Sequence, residues 1–154
     1  MSSPFPLPPG STIGILGAGQ LGRMMAMAAS QLGYHSISYA PPGDNVAADT
    51  CAELFECSWS DTEALAQFVQ RSDVITYEFE NVPASVVNAV PGEILAPLPR
   101  AIEVAQDRLN EKRFVEELGG RCAPYMRVES DEDFAQAMER VGTPGILKTA
   151  RDGY

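Results

Sequence analysis

The residues with the plainest chemical purpose are Gly17, Gly19 and Gly22, spaced G-x-G-x-x-G directly after the apolar run Thr12–Leu16. In a strand-turn-helix of this kind the first glycine permits a tight turn, the second lets backbone approach a ligand, and the third lets the helix pack close on the strand. The amides at the helix start then favour a negative group. A pyrophosphate is the usual one, and a dinucleotide site adds Asp or Glu about 20 residues on, at the tip of the second strand, to hold ribose hydroxyls. That tip reads Ala40-Pro41-Pro42-Gly43, and Asp44 lies beyond two prolines that force an extended path. The dinucleotide reading weakens on these grounds. Gln20 is a large polar side chain held at the turn, where it can meet a ligand directly, and Arg23 is placed to answer a phosphate or pair with the surface.

A second set of chemically useful residues is Glu78 and Glu80. Residues 73–80 read as a strand whose first half is continuously apolar, as in a strand covered on both faces, and whose second half alternates Glu78, Phe79 and Glu80. Both acids then project to one side at the C-terminal end of a parallel strand, beside the glycine turn. A carboxylate there suits sugar hydroxyls or an amine, since either donates to it. A salt bridge to Arg71 or Arg23 remains open as the plain structural alternative for one of the two. Cys51, Cys57 and Cys122 show no C-x-x-C spacing and His35 has no ligand cluster beside it, so neither points to a metal.

These residues need a scaffold, and the pattern from residue 11 to about residue 98 alternates strand and helix, which argues for a parallel sheet with helices on its faces. The first helix, residues 20–32, carries Leu21, Met24, Met25, Ala28 and Leu32 at helical spacing, a stripe read as core, and stops at Gly33. Residues 35–39 and 52–56 read as strands, and a helix capped by Ser60 or Asp61 presents Leu65, Phe68 and Val69. A short helix at 84–89 and a strand at 93–96 follow. Pro91, Pro97 and Pro99 mark a boundary. Beyond it, residues 100–118 read as one long helix stopped by Gly119-Gly120, then a strand at 125–128, a helix at 131–141 capped by Ser130, and a strand at 146–149. The domain expectation is a tail at 1–10, an α/β domain at 11–99, and the opening of a second domain at 100–154.

Acids outnumber bases by 21 to 11, a formal charge of −10, with no basic block to track a phosphate backbone. Nucleic acid is therefore not an expected partner. Residues 1–10 hold four prolines and no charge, unlike a signal peptide, and no apolar run reaches membrane-spanning length. A cytoplasmic protein without a membrane partner is expected. The apolar segment at 146–149, followed by Arg151-Asp152-Gly153-Tyr154, reads as a strand about to enter a loop, and the expectation is a longer protein cut short.

Four segments together, TIGILGAGQLGRMM, SDVITYEFENV, QDRLNEKRF and ILKTARDGY, carry a resemblance. In this order they resemble the N-terminal part of the 5-(carboxyamino)imidazole ribonucleotide synthases, enzymes of the ATP-grasp superfamily in purine biosynthesis. The resemblance implies a Rossmann-like pre-ATP-grasp domain followed by the start of an ATP-grasp domain. It also implies a ligase that uses ATP, Mg²⁺ and bicarbonate to form carboxyphosphate and carboxylate the exocyclic amine of aminoimidazole ribonucleotide, and a homodimer. By similarity Gln20, Leu21 and Glu80 line the ribonucleotide site, with Glu80 on the ribose hydroxyls, while Arg108, Lys148, Gly153 and Tyr154 match ATP-binding positions. From spacing alone Arg108 reads as a surface partner of a nearby acid, and Asp152 departs from the glycine common at that position of the family's loop. The metal carboxylates, with most of the ATP site, are expected beyond residue 154, and the chain alone is expected to be inactive. No catalytic residue is assigned. Another ATP-grasp ligase or carboxylase, such as a formate-dependent glycinamide ribonucleotide transformylase or a biotin carboxylase, and a non-catalytic nucleotide-binding module, remain as alternatives.

Overall fold

The computed structural model describes residues 6–151, which gather into two compact units, the first ending at Pro99 and the second beginning at Arg100. In the first, β1 (Thr12–Leu16), α1 (Gln20–Gln31), β2 (His35–Ala40), β3 (Glu53–Glu56), α2 (Thr62–Gln70), β4 (Val74–Tyr77) and α3 (Ala84–Ala89) follow in order. The strands form one parallel sheet, ordered β3-β2-β1-β4. From β1 the chain moves outward to β2 and β3, then crosses back to lay β4 on the other side of β1. Right-handed crossovers running in opposite directions put their helices on opposite faces, so α1 and α2 sandwich the sheet. The point of reversal lies between β1 and β4.

The α2 face is aromatic. Tyr39 and Phe55, in register on β2 and β3, pack against Phe68 of α2 with ring centroids 5.6 and 5.7 Å away. The Tyr39 hydroxyl donates to the carbonyl of Ser58 at 2.7 Å, and burial, with Cys57 and Asp61 nearby, pushes its pKa up to about 12. Asp61, one of the two caps expected, caps α2 by accepting from the amide of Ala64 at 2.9 Å. The opposite face carries small residues: Ser36, Ser38 and Ala40 are all buried.

That small-residue face explains why the expected α1 stripe is wrong. Leu21, Met24 and Leu32 are exposed, Ala28 is exposed, and Met25 is half-buried; the face turned inward is Gly22, Ala26 and Ala29. The helix packs mainly on β2. Small residues on both surfaces let it sit close, and the long side chains splay outward.

Two more expectations in this unit change. β4 stops at Tyr77 rather than running to residue 80, although one further ladder bond, from the amide of Glu78 to the carbonyl of Leu16 at 3.1 Å, continues the pairing. The strand expected at 93–96 is a single parallel bridge between Ile75 and Leu95. Pro91 and Pro97, which bring no amide donors, bracket it.

In the second unit the expected helix over 100–118 is two helices, α4 (Pro99–Ala105), which starts at the boundary residue, and α5 (Arg108–Glu117). Asp107 breaks them: its backbone is extended and its carboxylate accepts from the amides of Leu109 and Asn110 at 2.8 and 3.3 Å, starting a new helix. Desolvation raises the pKa of this carboxyl, but those two amides and Arg151 outweigh it and hold the group below its ordinary value. Helix α6 (Asp131–Val141), capped by Ser130, has the expected bounds. Residues 125–128 and 146–149 form no strand, because neither finds a ladder partner among the described residues.

Candidate functional site at the sheet reversal

In an open α/β sheet the crevice lies beyond the strand ends at the point of reversal, here where the turn after β1 faces the end of β4. Gly17 adopts φ +115°, a conformation that side chains rarely tolerate, and its amide donates to the carbonyl of Tyr39 at 2.8 Å. Gly19 is the N-cap of α1 and, having no side chain, cannot cap it. The helix start thus begins with donors that its own sequence leaves unanswered.

Glu78 answers them. By the pleat, Val74, Thr76 and Glu78 share the sheet face that α1 covers, and the register pairs Val74 with Ile13 and Thr76 with Ile15. The Glu78 carboxylate spans the first turn of the helix: Oε1 accepts from the amide of Gly19 at 2.8 Å and Oε2 from the amide of Gly22. A Cβ on Gly17 would collide with this carboxyl group, one on Gly22 would lie 2.8 Å from Oε2, and one on Gly19 3.1 Å from Oε1. All three glycines of the motif are therefore shaped around one side chain of the protein itself.

Asp44 adds a second carboxylate. The path after β2 is not extended as the prolines suggested; it turns, the amide of Asp44 donating to the carbonyl of Pro41 at 3.1 Å, and Asp44 Oδ2 comes within 3.4 Å of the amide of Ala18. The same loop is tied back by Ala47, whose amide donates to the carbonyl of Ala18 at 2.8 Å.

Gln20 and Leu21 occupy the first two helical positions of α1 with exposed side chains. Glu80 is half-buried in the turn after β4, two residues past Glu78. These three stand at the same end of the sheet. Arg71, one of the cations weighed as a partner for the acids, pairs instead with Glu53 at 2.7 Å. Tyr77 ends β4 with its hydroxyl buried and without a hydrogen-bond partner among the described residues, and burial raises its pKa.

In the second unit Arg108 opens α5, and its guanidinium lies 3.0 Å from Glu111, the surface pairing that its spacing suggested. Its backbone amide donates to the carbonyl of Ala150 at 2.9 Å, and Arg151 lies 3.6 Å from Asp107, so the start of α5 is held beside the segment carrying Lys148. Lys148 is exposed and is not on a strand. Gly153 and Tyr154 lie outside the described residues. Sequence reasoning missed Glu78 as a cap; the signal was a glycine at an N-cap, which cannot satisfy the amides that follow it.

Residues 11–106 match the model of the ribonucleotide synthetase pre-ATP-grasp domain family. The chain belongs to this family. Among curated proteins it is 46% identical, over 96% of its length, to the N5-carboxyaminoimidazole ribonucleotide synthase of Brucella melitensis, of which it covers 41%. Among solved structures, the N5-carboxyaminoimidazole synthetase of Staphylococcus aureus complexed with ADP superposes with a TM-score of 0.88 at 38% identity, over 96% of this chain and 40% of that one. The Aspergillus clavatus synthase in complex with ADP and 5-aminoimidazole ribonucleotide matches with a TM-score of 0.72 at 27% identity, over 94% and 39% of the two chains. The chain thus spans about two fifths of the length of these three relatives.

Proposed function

We propose that the chain is the ribonucleotide-binding portion of an ATP-dependent carbon–nitrogen ligase. In the whole protein, ATP and bicarbonate would give carboxyphosphate and ADP, and carboxyphosphate would carboxylate the exocyclic amine of 5-aminoimidazole ribonucleotide, releasing phosphate, in purine biosynthesis. The observation that supports this reading is the sheet reversal: exposed Gln20 and Leu21 and half-buried Glu80 stand at that end of the sheet, while a protein carboxylate occupies the amides that a dinucleotide would need. Glu80 accepts the ribose hydroxyls in this reading, and Gln20 and Leu21 line the base and sugar.

Arg108, Lys148, Gly153 and Tyr154 are assigned to ATP. The hydrogen bond between Arg108 and Ala150 supports grouping the first two, and a rotation of Arg108 away from Glu111 would present its guanidinium to a phosphate. Mg²⁺ belongs to the reaction, but among the described residues no group of three or more His, Cys, Asp or Glu is arranged to hold it. In this reading the metal's ligands lie outside residues 1–154. The first unit is taken as the pre-ATP-grasp domain and the second as the start of an ATP-grasp domain. A cytoplasmic homodimer is part of the same reading, and no helix among the described residues is long and apolar enough to cross a membrane.

Glu80→Gln in the whole enzyme tests the site. It should raise KM for the ribonucleotide about tenfold and leave KM for ATP within about twofold, because a charged acceptor for the ribose is lost. An unchanged ribonucleotide KM removes Glu80 from the site. The 154-residue chain alone should bind ribonucleotide without turnover, and ATP hydrolysis that depends on aminoimidazole ribonucleotide would overturn that part.

A further inference from the structure

A G-x-G-x-x-G turn offers amides to a phosphate only if nothing else holds them. Here the amides of Gly19 and Gly22 are both taken by the carboxylate of Glu78, and the amide of Ala18 faces Asp44. The Glu78 side chain also fills the space above the turn, since each of the three glycines would push a Cβ into or against it. Two acidic side chains therefore stand where a pyrophosphate would have to lie, and like charge there disfavours any phosphate.

We propose that Glu78 is a positioning and specificity-determining residue: its carboxylate is the protein's own anion at the start of α1, closing the glycine turn to phosphates and fixing Gln20 and Leu21 for a ligand that approaches beyond the turn. The link to the ribonucleotide rests on the proposed function; the closure to phosphates does not. The glycine motif has kept its geometry while exchanging an external anion for an internal one. A ligand's phosphate must then be held elsewhere, and the contacts left to the turn are those of the Gln20 and Leu21 side chains.

The test is an NMR titration of the ¹⁵N-labelled chain with inorganic pyrophosphate, following the amides of Gly19 and Gly22. In the unaltered chain neither should show a saturable shift. Glu78→Ala should bind pyrophosphate at least tenfold more tightly, with the shifts centred on those two amides. Glu78→Gln keeps the side chain's volume but loses its charge and one acceptor. It should move both amide protons upfield and gain less pyrophosphate affinity than Glu78→Ala. If Glu78→Ala does not fold, the unaltered chain decides: saturable pyrophosphate shifts at Gly19 and Gly22 overturn the proposal, and their absence, with the upfield movement in Glu78→Gln, supports it. A folded Glu78→Ala that gains no pyrophosphate binding also overturns it. A parallel titration with aminoimidazole ribonucleotide separates the two claims. Shifts at Gln20 and Leu21 with Gly19 and Gly22 unmoved support both, whereas no ribonucleotide response alongside the expected pyrophosphate results removes the ribonucleotide and leaves the closed turn standing.

Discussion

Gly17 shows how tightly one residue can be constrained. A methyl group there meets a positive φ and the Glu78 side chain at once. Gly17→Ala should cost on the order of 2–4 kcal/mol of unfolding free energy, read from urea denaturation, because it adds backbone strain and displaces a carboxylate from two amides. A loss below about 0.5 kcal/mol would mean that the turn relaxes freely. Tyr39 makes a different prediction at the same scale. Its folded pKa of about 12 exceeds the ordinary value of 10.0. Above the ordinary value the unfolded chain gives up a proton that the folded chain keeps. The stability Tyr39 contributes is therefore whole below about pH 10 and lost as pH rises toward about 12. Ultraviolet titration of the phenols should show a late-ionising fraction that Tyr39→Phe diminishes, with Tyr77 and Tyr125, whose values are also raised, keeping the remainder.

At the scale of elements, α1 is decided by the surface beneath it. Ala26→Leu should destabilise by about 1–3 kcal/mol, since a larger side chain cannot enter the contact between small residues, whereas Met24→Ala on the exposed side should change stability by less than about 0.5 kcal/mol. Equal effects in denaturant melts would mean that the two faces are assigned the wrong way round. The amphipathic pattern alone pointed to the long apolar residues, because periodicity locates a stripe but not the size of the groove it meets. Where the determinant is local, the sequence was a sound guide: Ser130 and the acids after it start α6 where expected. Asp107 is also a local signal, a cap inside an apparently continuous helical pattern. The segments 125–128 and 146–149 were unreadable for another reason, since a strand exists only with a neighbour, and neighbours are not written in the segment itself.

At the scale of the whole molecule the two units differ in what holds them. Most of the buried apolar side chains, from Ile15 to Leu95, belong to the first, while α5 and α6 bury none of their residues. Native-state hydrogen exchange should therefore show amides of β1, β2 and β4 opening only with global unfolding and those of α5 and α6 exchanging orders of magnitude faster. Uniform protection across both units would contradict this. The location of Gln20, Leu21 and Glu80 at one end of the sheet was legible, because strand-helix alternation fixes where the loops after β1 and β4 lie. What those loops do to each other was not, since Glu78 acts on a glycine 59 positions earlier in the chain. That separation sets an order of events during synthesis. In a chain growing from its N-terminus the amides of Gly19 and Gly22 cannot meet their carboxylate until residue 78 has been added and β4 has docked beside β1. Protection of the Gly22 amide in pulse-labelled nascent chains would report that moment, the point at which the fold closes on itself.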